Sequence, residues 1–202
     1  MSEDAHAPAG VIGPNAVLQL VPILARAVGP ARRAHILARA GIFDLPDGSG
    51  MITETSAARL HSALRAAEPE MAPALAAHAG LATANYVLRH RIPTPAQWVL
   101  RALPKGPAAS LLSRAIAKHA WTFVGSGRFH VIDPWTFEIE DNPLIRGAQS
   151  DTCLCDWHAA VFARLYQALV ARDCMCVETR CAACHPGNRC RFALRSFGAG
   201  RR

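Results

Sequence analysis

Glu178-Thr179-Arg180-Cys181-Ala182-Ala183-Cys184-His185-Pro186-Gly187-Asn188-Arg189-Cys190-Arg191-Phe192 is the stretch on which the fold turns. Before it, Cys174, Cys176 and Glu178 share one face of an extended segment, because strand side chains repeat every two residues. After it, Cys190, Phe192 and Leu194 do the same. The spacing predicts a hairpin of Cys174–Glu178 and Cys190–Leu194, with Glu178 and Cys190 at its mouth and Cys181 in the connecting loop. Upstream, Trp157, Val161, Leu165 and Leu169 recur four apart between Cys155 and Val170, which predicts an amphipathic helix with Cys155 at its start. Four ligands from three elements can then converge on one divalent ion, and thiolates with a carboxylate suit tetrahedral coordination. A site with no open position is structural. On the residues alone, zinc stands beside two other readings: unligated buried thiols, and an iron–sulfur cluster, although the spacings match no ferredoxin run. Three thiolates and a carboxylate leave surplus negative charge, which Arg180, Arg189, Arg191 or His185 is positioned in sequence to offset.

Working outward, Phe129–Ile132 and Phe137–Glu140 alternate as two further strands joined through Asp133 and Pro134. Everything before Gly125 reads as helix: a first segment from Asn15, a second from Ala31 to Ala40 between Pro30 and Gly41, then 53–67, 70–90, 94–103 and 107–123. Residues 1–14 read as a flexible lead-in. The expectation is a single α+β domain over residues 15–197. Its helical half, 15–124, packs on an antiparallel sheet and metal-site half, 125–197. The alanine-rich run from Glu70 to His90 offers a face for a homodimer.

Composition bounds the function. The chain has 202 residues, 51% of them hydrophobic, enough for one core. No run of about 18 apolar residues predicts a membrane span, and the acidic start Met1–His6 is unlike a secretory signal. Both point to the cytoplasm. All seven cysteines follow residue 150, and an odd number in a reducing compartment argues for thiols or metal ligands over disulfides. The net charge of +7 comes from dispersed arginines, lysine occurring only at Lys105 and Lys118, so no nucleic-acid surface is expected. Gly125-Ser126-Gly127 opens a partial glycine pattern, but His130 and the missing βαβ unit exclude a dinucleotide fold. A hydrolase is disfavoured by the lack of a Gly-x-Ser-x-Gly elbow.

The combination of Cys155-Asp156-Trp157 on a helix, Val177 to Cys181, Gly187, and Cys190-Arg191-Phe192 resembles the 4-vinyl reductase domain family. That family includes the sensory domains of phenol-responsive transcription activators and is similar in fold to small subunits of the Golgi transport particle. The motif similarity covers Gly127 to Phe197, and the layout of most of the chain resembles the members associated with bacteriochlorophyll biosynthesis. The resemblance implies a structural zinc on Cys155, Glu178, Cys181 and Cys190, with Cys184 as a possible substitute, beside an apolar pocket. It also implies a role in bacteriochlorophyll formation. The favoured form is a carrier or accessory factor that holds a magnesium tetrapyrrole, such as protoporphyrin or protochlorophyllide, for the enzymes of that synthesis, in the cytoplasm or peripheral to the photosynthetic membrane. The alternative is a reductase converting the C8 vinyl group of a divinyl substrate to ethyl, which needs a hydride donor. The sequence displays no nicotinamide or flavin site. A scaffolding role is the third reading. A tetrapyrrole pocket calls for aromatic and aliphatic walls, an arginine and a histidine. The candidates are His119, set on an apolar face with Leu112, Ile116 and Phe123, together with His130, Trp135 and Trp157.

Overall fold

The computed structural model describes residues 10–197. Its helical half begins with α1 (Asn15–Leu18) and α2 (Leu20–Arg39). α2 is two helices in series. Gly29 takes φ 80° and ψ 168°, and Pro30, which has no N–H to donate, follows it, so the break falls where the sequence separates two helices. Val11–Ile12 forms a short strand, β1, paired antiparallel with β2 (Ile52–Thr53). Residues 10–14, expected within a flexible lead-in, are therefore structured, while residues 1–9 lie outside the described residues. Two residues are too few to show alternation. What holds β1 is burial of Ile12 and backbone bonds from Gly13 N to Thr122 O (2.8 Å) and from Glu54 N to Gly10 O (2.8 Å).

Next come α3 (Glu54–Ala67), α4 (Ala72–His90) and α5 (Thr94–Ala102). Glu54, at the start of α3, is buried, and it accepts hydrogen bonds from Ser126 N (2.8 Å), Ser126 Oγ (2.8 Å) and Arg146 (2.9 Å). These bonds tie the helical half to the entry of the sheet and lower the Glu54 pKa against the upward push of burial. The helix expected over 107–123 divides into α6 (Lys105–Lys118) and α7 (Trp121–Val124), with His119 capping the first.

The sheet half contains β3 (Arg128–Asp133), β4 (Thr136–Glu140), α8 (Asp156–Leu169), β5 (Cys174–Arg180) and β6 (Arg189–Ser196). The strands form one antiparallel sheet in the order β3-β4-β6-β5. Its inner face buries Phe137, Ile139, Cys174, Cys190, Phe192 and Leu194. Phe162 of α8 fills the space between helix and sheet, with ring centroids 5.2 Å from Phe137 and 5.3 Å from Phe192. The outer face is charged: Arg189 reaches Glu138 (3.1 Å) and Glu140 (3.2 Å). Exposed pairs of this kind contribute little stability but keep the face soluble.

α8 lies between the sheet and α4, and α4 meets it at backbone contact. A Cβ on Gly80 would stand 2.3 Å from the carbonyl oxygen of Trp157 and 2.8 Å from Cβ of Ala160. The small-residue face of 70–90 is thus taken up inside the chain.

Candidate metal centre and ligand cleft

Cys155 caps the N-terminus of α8, and it arrives there because the approach to the helix from Pro143–Ile145, a 3₁₀ turn, is held by Asn142. Asn142 is 2% exposed, its Oδ1 accepts from Leu144 N at 3.1 Å, and its Nδ2 donates to Cys155 Sγ at 3.3 Å. The positive end of the helix dipole favours a thiolate at this position. Glu178 and Cys190 stand on the inner face of β5 and β6, as the alternation requires, and a register irregularity between Glu178 and Arg180 turns the chain into the loop that carries Cys181.

The ligand atoms of Cys155, Glu178, Cys181 and Cys190 all lie within 4.8 Å of one another, so this quartet could hold a metal ion. Cys155 Sγ and Cys190 Sγ are 3.5 Å apart. A tetrahedral ion with metal–sulfur bonds of about 2.3 Å has sulfur–sulfur edges of about 3.8 Å, so the cage already has the right size. Glu178 Oε2 accepts from Cys155 N at 2.8 Å, whereas its Oε1 is buried without a hydrogen-bond partner among the described residues. An orphaned carboxylate oxygen beside three thiols is what a missing cation leaves behind, and it meets the test for a metal site.

The electrostatics agree. Burial pushes the Glu178 carboxyl up to about 8 and the Cys155 thiol well above its usual range. Cys181 goes the other way, because hydrogen bonds from Cys155 and Cys190 favour its thiolate. Ala182 N donates to Cys190 Sγ at 3.5 Å. The balancing cation is not among those expected from the sequence. Arg189 and Arg191 face Glu138 and Glu140 on the outer side of the sheet, and Arg180 donates to Pro186 O. Arg65 of α3 supplies the charge instead. Its guanidinium, bonded to Leu144 O (3.1 Å), is destabilised by burial and restabilised by Cys155, Cys181 and Asp156. His185 contributes through the backbone, Nδ1 accepting from Cys181 N at 3.3 Å. Cys184 is directed away from the quartet, toward His185 and Cys153.

With that geometry in hand, similarity becomes informative. Residues 135–196 match the 4-vinyl reductase domain. Over 185 residues the chain is 50% identical to the bacteriochlorophyll synthase 23 kDa chain of Cereibacter sphaeroides, covering 91% of this chain and 89% of that one. The chain belongs to that family. It is also 45% identical over 189 residues to the bacteriochlorophyll synthase 23 kDa chain of Rhodobacter capsulatus, covering 93% and 88%. Among solved structures, an H-NOX protein from work on heme distortion has a TM-score of 0.56 at 8% identity, over 93% of this chain and 96% of its own. A mutant H-NOX protein from K. algicida, in an Fe(II) unliganded state, gives 0.55 at 8%, over 94% and 98%. These two establish a shared fold.

The four ligand candidates named from the sequence do not converge. His119 is exposed, because α6 ends at Lys118 and the helical face that would have aligned it with Phe123 is interrupted there. His130 is on the sheet's outer face, its Nε2 3.2 Å from Glu140. Trp135, in the turn between β3 and β4, packs on Tyr166 with centroids 5.5 Å apart. Trp157 is buried against His158 (4.8 Å) and His61 (6.3 Å), with its Nε1 unpartnered among the described residues. The space between α8 and the sheet is filled by aromatic rings.

Two clefts open elsewhere in the domain. One, of about 750 Å³, lies between residues 141–151 and the loop 182–188. The other, of about 530 Å³, lies between α3, α4 and the approach to α8. Leu64, Ala72, Ala76 and Leu154 give it apolar walls, and His61, Arg65 and Asp156 line it with titratable groups. The sequence held no signal for Arg65 or His61 beyond their i, i+4 spacing on one helix.

Proposed function

We propose that this protein is an accessory factor of bacteriochlorophyll synthesis that binds a magnesium tetrapyrrole intermediate, such as protoporphyrin or protochlorophyllide, in a domain closed by a structural zinc ion. The observation that carries the reading is 50% identity, over nearly the whole chain, to a bacteriochlorophyll synthase 23 kDa chain. The cleft bordered by α3 and α4 supports it. A tetrapyrrole is a wide apolar disc with carboxylates along one edge, and apolar walls beside Arg65 suit both parts. Zinc is the ion that three thiolates and one carboxylate select, and with four protein ligands it keeps no open position for chemistry. Cys155, Glu178, Cys181 and Cys190 would hold it, and it would pin α8 to the hairpin.

A peripheral, cytoplasmic association with the photosynthetic membrane fits the same reading. No described helix is long and apolar enough to cross a membrane. No acidic residue occurs between Glu70 and Asp133, and α5 exposes Trp98 (66%) and Val99 (53%) close to the cations Arg101 and Lys105. Tryptophan and aliphatic side chains beside cations suit an anionic lipid interface.

The test is to mix the zinc-loaded protein with divinyl protochlorophyllide, with and without NADPH, and to follow absorption. A saturable band shift that then stays constant is expected. Reductant-dependent conversion to the monovinyl pigment would make the protein the reductase, and no shift would sink the tetrapyrrole reading. Ser62→Trp, at an exposed position lining the cleft, should abolish the shift while leaving the melting temperature unchanged.

A further inference from the structure

Two cysteines near the metal quartet are not part of it. Cys153 Sγ and Cys184 Sγ are 4.0 Å apart, and both residues are partly exposed. Cys184 Sγ also sits 3.1 Å from His185 Nδ1 and borders the cleft of about 750 Å³. Cys153 precedes the quartet residue Cys155 by two positions and Cys184 follows Cys181 by three, so the two thiols face each other across the rim of the metal site. Neither lies in a helix or strand, which leaves both segments free to adjust. The remaining thiols outside the quartet, Cys174 and Cys176, point inward from β5.

We propose that Cys153 and Cys184 form a redox-active dithiol that closes reversibly to a disulfide across the rim of the metal site, with low-molecular-weight disulfides as the oxidant class. His185 Nδ1 takes the Cys184 proton, and the Cys184 thiolate attacks one sulfur of the oxidant. The oxidant's S–S bond breaks, one thiolate leaves, and Cys184 carries a mixed disulfide. Cys153 then loses its proton to solvent, attacks the Cys184 sulfur and expels the second thiolate. Two protein thiols are oxidised by two electrons, and the oxidant is reduced to two thiols. A disulfide needs its sulfurs about 2 Å apart, so closing the 4.0 Å gap asks for rotamer changes within two loops and no movement of α8 or the sheet. The bond would fasten the segment carrying Cys155 to the loop carrying Cys181. Oxidation should therefore slow release of the ion.

The experiment incubates the zinc-loaded full chain with oxidised glutathione and maps thiols by mass spectrometry. The expected product has one 153–184 disulfide, with zinc retained and five of the seven cysteines still reduced. Cys153→Ser should stop at a glutathione adduct on Cys184, and Cys184→Ser should form neither product while keeping zinc. In the oxidised wild type, zinc transfer to a chelator should be several-fold slower than in the reduced protein. The proposal is overturned if oxidation instead captures Cys155, Cys181 or Cys190 with loss of zinc, if Cys174 and Cys176 react first, or if Cys184→Ser loses the ion, which would make Cys184 a ligand.

Discussion

Replacing Gly80 with alanine reverses the usual outcome of a helix substitution. In an exposed helix interior, glycine to alanine gains about 1 kcal/mol of stability from backbone propensity. At Gly80 the new Cβ would stand 2.3 Å from the Trp157 carbonyl oxygen, 2.8 Å from Ala160 Cβ and 3.1 Å from the Trp157 carbonyl carbon. Carbon–oxygen contacts between neighbouring backbones sit at about 3.3 Å or more, so α4 and α8 must separate by about 1 Å. Neither obstacle is the end of a flexible side chain that can swing aside. Overpacking of this kind costs about 1–3 kcal/mol, and here it comes with loosened contacts along the most extensive helix pair in the domain. The net expectation for Gly80→Ala is a loss of about 2 kcal/mol, or about 4–8 °C in melting temperature for a domain of this size. Trp157 follows Cys155 by two residues, so the same displacement should weaken zinc retention against a chelator. Gly106→Ala is the control: its added Cβ meets nothing within 4 Å, and that variant should be neutral or slightly more stable. Urea and thermal unfolding of the zinc-loaded proteins decide the matter. If Gly80→Ala is as stable as Gly106→Ala, the close crossing of α4 and α8 is wrong.

Further outcomes follow from the same geometry. Cys190→Ser should release zinc and lower the melting temperature, because metal-binding free energy is coupled to folding; unchanged metal content by elemental analysis would remove the quartet from consideration. Asn142→Ala deletes the donor to Cys155 Sγ without touching a ligand, and should weaken zinc binding by about 10–100-fold in a chelator competition. Acid sensitivity should come from two buried histidines, which burial holds at about 3 (His61) and about 4 (His158) against an ordinary 6.5. The unfolded chain binds their protons first, so the stability they contribute is complete above about pH 6.5 and falls as pH drops toward 4. The slope for the pair is about 2.7 kcal/mol per pH unit, and His158→Gln should roughly halve it in urea unfolding between pH 6.5 and 5.5 in excess zinc.

Local periodicity made much of this protein legible. The inner faces of β5 and β6, the start of α8 at Cys155 and the break in α2 before Pro30 all follow from side-chain repeat and backbone chemistry within a few residues. Because those elements lie consecutively in the chain, their order also brought the metal quartet together on paper, and the match to the 4-vinyl reductase domain covers the same stretch. The two-residue strands β1 and β2 escaped because nothing so short displays a period. His119 misled for a related reason: a helical face was extended across a boundary that lacks a proline or glycine to mark it.

What tertiary structure alone decided is which groups surround the site. Arg65 reaches the thiolates from a helix ninety residues upstream of Cys155, and Asn142 reaches Cys155 from a turn, through contacts that no local pattern encodes. The filling of the space between α8 and the sheet by Phe137, Phe162 and Phe192, and the opening of clefts elsewhere, likewise depend on how the layers pack. Alternation and helical repeat say which face of an element is buried, because they are properties of one segment's geometry. They do not say against what, because that depends on the angle and distance at which distant segments meet.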